Sequence, residues 1–251
     1  MDSKFGVVLY QKLFCSGTKK IAVLIDPDKH TERSLSKIAD KSQKDGADFF
    51  LVGGSLLFSA IDDTVNRIKQ YSELPVLLFP GNILQITDKA DGILLLSLIS
   101  GRNPELLIGN HVIAAPLLKK SKLEIIPTGY MLIDGGNTTS VEYMSNTKPI
   151  PDDKPDIAVA TALAGELTGL KTIYLEAGSG ANQPVNENII QKVKNNIQIP
   201  IIVGGGIRDI KILSNICLAG ADVVVVGTAF EKNPEVLKSF SDTVHNFKYQ
   251  N

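Results

Sequence analysis

Tyr174 and Glu176 stand two residues apart at the end of an apolar run, and Ala177-Gly178-Ser179-Gly180 follows at once. Residues at i and i+2 of a β-strand share a side, so a phenol and a carboxylate face together whatever those glycines hold. Glycine lets backbone N–H groups approach an anion closely, and short helix N-termini add a partial positive charge. Two further glycine clusters also close apolar runs: Gly204-Gly205-Gly206-Ile207-Arg208 and Val226-Gly227-Thr228-Ala229. Three such loops side by side make a phosphate cradle without lysine, and barrels of parallel strands hold phosphate after strands 7 and 8. The chemistry expected is proton transfer, with Glu176 taking a proton from a hydroxyl of a phosphate-bearing ligand that Tyr174 holds or orients. The alternatives are glycines that only turn the chain and a polar plug in the barrel core.

A second group suits a hard cation. Asp26 in Asp26-Pro27-Asp28-Lys29 and Ser55 in Gly53-Gly54-Ser55 each follow an apolar run. Mg²⁺ needs only one or two protein oxygens when substrate phosphates and waters complete its shell, so this sparse set suffices for a diphosphate substrate. The competing reading pairs Asp26 with Lys29. Asp28 is expected to cap the following helix. Arg102, in Ser100-Gly101-Arg102-Asn103-Pro104, either contacts a diphosphate or tethers its loop. Asp62-Asp63 lacks a third aspartate, since Asn66 stands there, and reads as a solvated helix start. His30, His111 and His245 show no metal-ligand spacing.

These residues need a scaffold that gathers chain segments far apart in sequence. Eight short Val/Ile/Leu-rich runs provide it: Ile21–Ile25, Asp48–Val52, Pro75–Phe79, Gly92–Ser97, Leu123–Pro127, Thr172–Ala177, Pro200–Gly204 and Asp222–Val226. They lack in/out alternation, as strands buried on both faces of a parallel sheet do. Segments of helical period separate most of them, including Ser34–Asp45, Ala60–Tyr71, Pro104–Lys119, Asn186–Asn195 and Ile210–Ala219. The pattern predicts an α/β chain, a single modified (β/α)₈ TIM barrel, rather than an open doubly wound sheet, because no strand has the polar character of an edge. The step from Pro80 to Asp91 is too short for a full unit, so the third barrel helix is expected to be truncated or replaced by extended chain. Residues 1–251 are read as one domain, with an N-terminal helix at about 1–16 and the barrel at about 20–240. Thr128 to Lys171 holds a polar loop, Gly135–Lys154, and then a small-residue helix, Ile157–Leu167.

Composition removes other classes. The 251 residues carry 26 Lys+Arg against 27 Asp+Glu, a formal charge of −1 that gives nucleic acid no basic surface. No apolar run approaches a membrane span, and the first fifteen residues lack a signal-peptide apolar core. Cys15 and Cys217 suit a reducing, cytoplasmic setting better than a disulfide framework.

Taken together, Leu24-Ile25-Asp26-Pro27-Asp28-Lys29, Val52-Gly53-Gly54-Ser55, Phe79-Pro80-Gly81-Asn82, Gly101-Arg102-Asn103-Pro104, Tyr174 to Gly180 and the two later glycine clusters resemble the geranylgeranylglyceryl phosphate synthase (GGGPS/PcrB) family, in the branch with archaeal and Bacteroidetes members. The resemblance spans nearly the whole chain, and its most specific part is the strand 6 segment. It implies prenyl transfer, in which the C3 hydroxyl of sn-glycerol 1-phosphate attacks C1 of a polyprenyl diphosphate, geranylgeranyl above all, and releases diphosphate. It implies Mg²⁺ at Asp26 and Ser55, and Glu176 as base. It further implies that Tyr174, Leu175, Glu176, Ala177, Gly178, Ser179, Gly180, Gly205, Gly206, Gly227 and Thr228 bind glycerol phosphate. A barrel lacking its third helix and a homo-oligomer, dimer or hexamer, are implied as well. Asp134-Gly135-Gly136-Asn137-Thr138 departs from the Glu-Pro-Gly-Gly of many relatives. The prenyl tail is expected in the apolar barrel mouth and along small-residue helices, with only transient contact at a membrane surface.

Two rivals remain. A sugar-phosphate isomerase or lyase of the histidine-biosynthesis kind wants a second aspartate at the end of strand 5, and that end is read as Ile126-Pro127-Thr128. A non-catalytic phosphate-binding barrel would bind glycerol phosphate and release no diphosphate.

Overall fold

The computed structural model describes residues 8–247. Eight parallel strands close into a barrel in sequence order: β1 (Lys20–Ile25), β2 (Phe49–Val52), β3 (Val76–Leu78), β4 (Gly92–Leu98), β5 (Glu124–Leu132), β6 (Thr172–Glu176), β7 (Ile201–Gly204) and β8 (Val223–Val226), with β8 pairing back onto β1. Every expected strand is present. The helices are α1 (Val8–Phe14), α2 (Glu32–Lys44), α3 (Ile61–Tyr71), α4 (Asn110–Lys120), α5 (Ser140–Ser145), α6 (Pro155–Leu167), α7 (Glu187–Lys194), α8 (Ile210–Ala219), α9 (Thr228–Lys232) and α10 (Val236–Asn246). The expected N-terminal helix is present from Val8, and its portion before residue 8 lies outside the described residues.

The apolar side chains divide into two layers, as strands buried on both faces require. One layer lies between the strands and the surrounding helices and includes Val23, Val65, Ile189 and Leu213. The other fills the barrel, with Phe49, Leu51, Leu77, Ile126 and Tyr174 among its members. Helix α1 closes the barrel floor: Leu13 and Phe14 join the inner layer, and the Phe14 ring meets Phe49 edge-on at 5.8 Å. Its first turn is held by the buried Glu124, which accepts the N–H groups of Leu9 and Tyr10 at 2.7 and 2.8 Å. An acceptor at that end satisfies two of the N–H groups that a helix start leaves without partners.

Between β3 and β4 stands only a single 3₁₀ turn, Ile83–Gln85, so the third barrel helix is absent as expected. Before α4, residues Glu105–Gly109 form a π-helical turn that begins at Pro104. Two sequence boundaries need correction. Strand β5 runs to Leu132 rather than ending near Pro127, because Thr128 and Tyr130 are buried in the sheet despite the proline. The expected loop 135–154 contains α5, whose start is capped by Thr139.

Candidate active site

The C-terminal ends of the strands open into one large cavity of about 1360 Å³. Glycine loops occupy one end. Ser179 after β6 and Thr228 at the start of α9 bring their hydroxyl oxygens to 3.5 Å, and Gly180, Gly205, Gly206 and Gly227 line the same end. This is the place, after strands 7 and 8 and beside a short extra helix, where barrels bind phosphate. Leu175, Ala177 and Gly178 do not line the cavity; the first two are buried behind it, and Gly178 acts through its backbone.

Glu176 sits beside that end, 6% exposed, and accepts the Gly178 N–H at Oε1 over 2.6 Å. Burial raises its carboxyl to about 7, a shift that the Gly178 N–H and the Tyr174 hydroxyl oppose without cancelling. A carboxyl poised there can accept and return a proton near neutrality. Tyr174 is fully buried, stacked on Phe79 at 5.1 Å and edge-on to Tyr130 at 5.4 Å. Its hydroxyl lies near Glu176, yet it has no partner in hydrogen-bonding geometry among the described residues. A buried hydroxyl without a partner beside a cavity is an exception among buried polar groups. Burial pushes both phenols, Tyr130 and Tyr174, well above their ordinary range, so they remain protonated donors.

Two glycines make this arrangement possible. A Cβ on Gly204 would stand 2.3 Å from the Tyr174 hydroxyl oxygen. Gly205, at φ +88°, has room for no side chain either: a Cβ would lie 2.7 Å from Glu176 Oε1 and 2.7 Å from the Gly178 nitrogen.

Asp26 and Ser55 both line the cavity, on neighbouring segments that are braced together. Asp28 accepts the Phe58 and Ser59 N–H groups at 2.8 Å each, which ties the turn after β1 to the loop after β2. Its carboxyl is held below the ordinary range, first by the Ser59 side-chain hydroxyl and then by the Phe58 N–H. The expectation that Asp28 caps the next helix is therefore corrected; Thr31 caps α2. Gln85, from the 3₁₀ turn, grips the same loop, accepting the Gly54 and Gly81 N–H groups and donating to the Gly54 carbonyl at 2.7 Å. Asp26 pairs with Lys29 at 3.5 Å and accepts the Asp28 N–H at 3.2 Å. No group of three or more His, Cys, Asp or Glu side chains converges among the described residues. One carboxylate beside one hydroxyl fits Mg²⁺ that shares its shell with substrate phosphates, and fits poorly a metal held by protein alone.

Arg102 does not line the cavity; its guanidinium donates to the Gly101 carbonyl at 2.7 Å and tethers its own loop. Arg208 does line it, held through a bond to the Ala181 carbonyl, as do Asn82 and Thr139. Sequence reasoning assigned none of these three a role, although Asn82 and Arg208 stand inside motifs it quoted.

The other end of the cavity is apolar. Leu95 from β4, Ile83 and Ile86 from the 3₁₀ segment, Leu106 and Ala114 around α4 and Met144 from α5 form its walls. The missing third helix leaves this cleft open. The small-residue helix α6 contributes nothing to the lining, which corrects the expectation that it would house a tail.

The reading of strand 5 changes as well. With β5 ending at Leu132, the second residue past its end is Asp134, whose carboxylate accepts the Gly136 N–H at 2.9 Å and does not reach the cavity lining. The isomerase reading thus loses its second acid because of where Asp134 is bound, and not because that strand end lacks one.

Comparison with known proteins agrees with this geometry. The model of the PcrB family matches residues 17–244. A protein of Chitinophaga pinensis named geranylgeranylglyceryl phosphate synthase is 50% identical over 230 residues, 91% of each chain. One of the same name from the archaeon Methanosphaera stadtmanae is 41% identical, over 88% of this chain and 92% of its own. A crystal structure of (S)-3-O-geranylgeranylglyceryl phosphate synthase from Thermoplasma acidophilum, in complex with its substrate sn-glycerol-1-phosphate, superposes with a TM-score of 0.90 at 34% identity, covering 98% of this chain and 100% of that one. With its barrel, glycine loops and carboxylate in place across that whole length, the chain belongs to the PcrB family of geranylgeranylglyceryl phosphate synthases.

Proposed function

We propose that the protein is a prenyltransferase that joins the C3 oxygen of sn-glycerol 1-phosphate to C1 of a polyprenyl diphosphate and releases diphosphate. The observation that carries this reading is a single cavity with a glycine-lined phosphate end, a buried carboxyl between, and an apolar cleft at the other end. An isomerase of small sugar phosphates has no use for the cleft.

The phosphate of the acceptor sits at Ser179, Gly180, Gly205, Gly206, Gly227 and Thr228, neutralised by N–H and O–H groups. Its C3 hydroxyl then faces Glu176, with the open Tyr174 hydroxyl as an orienting donor. Asp26 and Ser55 would hold Mg²⁺, which would supply charge stabilisation for a departing diphosphate. The isoprenoid tail lies along Leu95, Ile83, Ile86 and Leu106. Allylic diphosphates ionise to delocalised cations, so the acceptor oxygen needs position and a proton acceptor more than intrinsic nucleophilicity. A bond between the C3 oxygen and prenyl C1 forms as the C1–O bond to diphosphate breaks, and the hydroxyl proton passes to Glu176.

The test is incubation with Mg²⁺, sn-glycerol 1-phosphate and prenyl diphosphates of several lengths, followed by mass spectrometry. An ether with stoichiometric diphosphate supports the reading; binding of glycerol phosphate without ether would leave the non-catalytic barrel.

A further inference from the structure

Glu176 lies between two cavities. Besides the mouth, a small, partly open chamber of about 10 Å³ stands behind it, walled by Leu132, Ile133, Pro149 and Ala177 and by the polar residues Asn137, Thr139 and Glu142. Glu176 and Thr139 line both spaces, and no other described residue does. The chamber volume is that of about one water molecule, and its polar wall offers the two or more partners a buried water requires.

We infer that Glu142, through one water seated in this chamber, is the exit for the proton that Glu176 takes from the acceptor hydroxyl. The inference rests on the reading of Glu176 as the base. While acceptor, donor or products fill the mouth, Glu176 is separated from solvent on its front side, and a path behind it lets the accepted proton leave before the products do. The titratable groups facing Glu176 from the mouth are Tyr174 and Tyr130, whose buried phenols keep their own protons and cannot take a second. Behind it, Glu142 lines the chamber and is partly exposed to solvent. The transfer balances: the proton moves from the Glu176 carboxyl to the water, the water passes one of its protons to the Glu142 carboxylate, and Glu142 loses it to bulk solvent. Both glutamates end as carboxylates.

A local structural role for Glu142 also needs to be separated. It occupies the third position of α5 after the capping Thr139, where Glu or Gln often returns a hydrogen bond to the cap. In the structure Thr139 accepts the Glu142 N–H at 3.4 Å, and no return bond from the Glu142 carboxylate is formed. Glutamine preserves any capping function but cannot carry the proton onward as a carboxylate does.

The experiment compares wild type, Glu142→Gln and Glu142→Ala with sn-glycerol 1-phosphate and geranylgeranyl diphosphate, in single-turnover and multiple-turnover modes, in H₂O and D₂O. Expected are unchanged glycerol-phosphate affinity, an unchanged first turnover and a multiple-turnover rate lowered about tenfold in both variants. The solvent isotope effect on that slower rate should grow, and formate should restore the Ala variant. Multiple-turnover rates and isotope effects equal to wild type in Glu142→Gln overturn the proton exit and leave the base assignment intact. A Glu176→Gln enzyme that turns over normally instead removes the base itself. Loss of rate in Glu142→Ala alone, with Gln at wild-type level, assigns Glu142 to capping and also overturns the exit.

Discussion

The two ends of the barrel bury the same chemical groups to opposite purposes. At the floor, the buried Asp222 and Glu124 and the half-buried Asp48 each have two or more partners. Asp222 takes both bonds from Lys194 at 2.7 and 2.8 Å and the Ile201 N–H at 2.8 Å. Glu124 accepts two N–H groups of α1, and Asp48 is met by Lys20, His245 and the Ile21 N–H. At the mouth, among the described residues, Glu176 has one N–H partner and no cation, and the Tyr174 hydroxyl has no partner in hydrogen-bonding geometry. Buried polar groups are costly unless paired, so the incomplete pairing at the mouth is a cost that only a ligand removes. Partner count, more than residue type, separates the structural acids of the floor from the acid proposed as the base.

Substitutions at the two ends sharpen that contrast. Glu176→Gln is expected to lower turnover by roughly 10²-fold or more, with the fold intact, as measured by steady-state ether formation. Its effect on stability has the opposite sign. A carboxyl raised from the ordinary 4.5 to about 7 by folding destabilises the protein as pH climbs from 4.5 to 7, and fully above that. The glutamine variant should therefore be more stable than wild type at pH 8, by up to roughly 3 kcal/mol, and equally stable at pH 4. Asp222→Asn at the floor is expected to do the reverse, costing roughly 3 kcal/mol in denaturant unfolding while activity per folded molecule stays unchanged.

Smaller effects probe the rest of the mouth. Tyr174→Phe removes a hydroxyl with no bond in strict geometry, only its interaction with Glu176, so unfolding should change by no more than about 1 kcal/mol. Glycerol-phosphate affinity or turnover should fall about tenfold, the worth of one ligand hydrogen bond; unchanged kinetics would return Tyr174 to a core role. Asp26→Asn should move the Mg²⁺ titration to higher concentration by at least the roughly tenfold seen for a lost outer-shell partner, with glycerol-phosphate affinity kept. Arg102→Ala should do least, within about 0.5 kcal/mol in stability, with no change in diphosphate release, because its guanidinium is spent on its own loop.

Much of this was legible in the chain because local signals coincide with the function. The Tyr174/Glu176 pair, the glycines after β6, β7 and β8 and the short Pro80–Asp91 step all lie within single segments, and their meaning follows from strand period and barrel geometry. The errors arose where tertiary contacts decide. Pro127 reads as a strand end, yet β5 continues past it because Thr128 and Tyr130 gain burial inside the barrel. Asp28 sits where a cap would, but the Phe58 and Ser59 N–H groups, thirty residues away, take its carboxylate. The apolar cleft and the chamber behind Glu176 are each made from segments distant in sequence, and no periodicity reports them.

The central claim is that an incompletely paired, buried Glu176 is the base for ether formation. Single-turnover ether formation from sn-glycerol 1-phosphate and geranylgeranyl diphosphate, followed from pH 5 to 9 in wild type and Glu176→Gln, tests it most directly. Because the base acts as the carboxylate and its carboxyl lies at about 7, the wild-type rate should rise with pH through that value and level off above it, and the variant should lose the rise with most of the rate. A rate that is flat across the range, or a rise that survives in Glu176→Gln, would contradict the account.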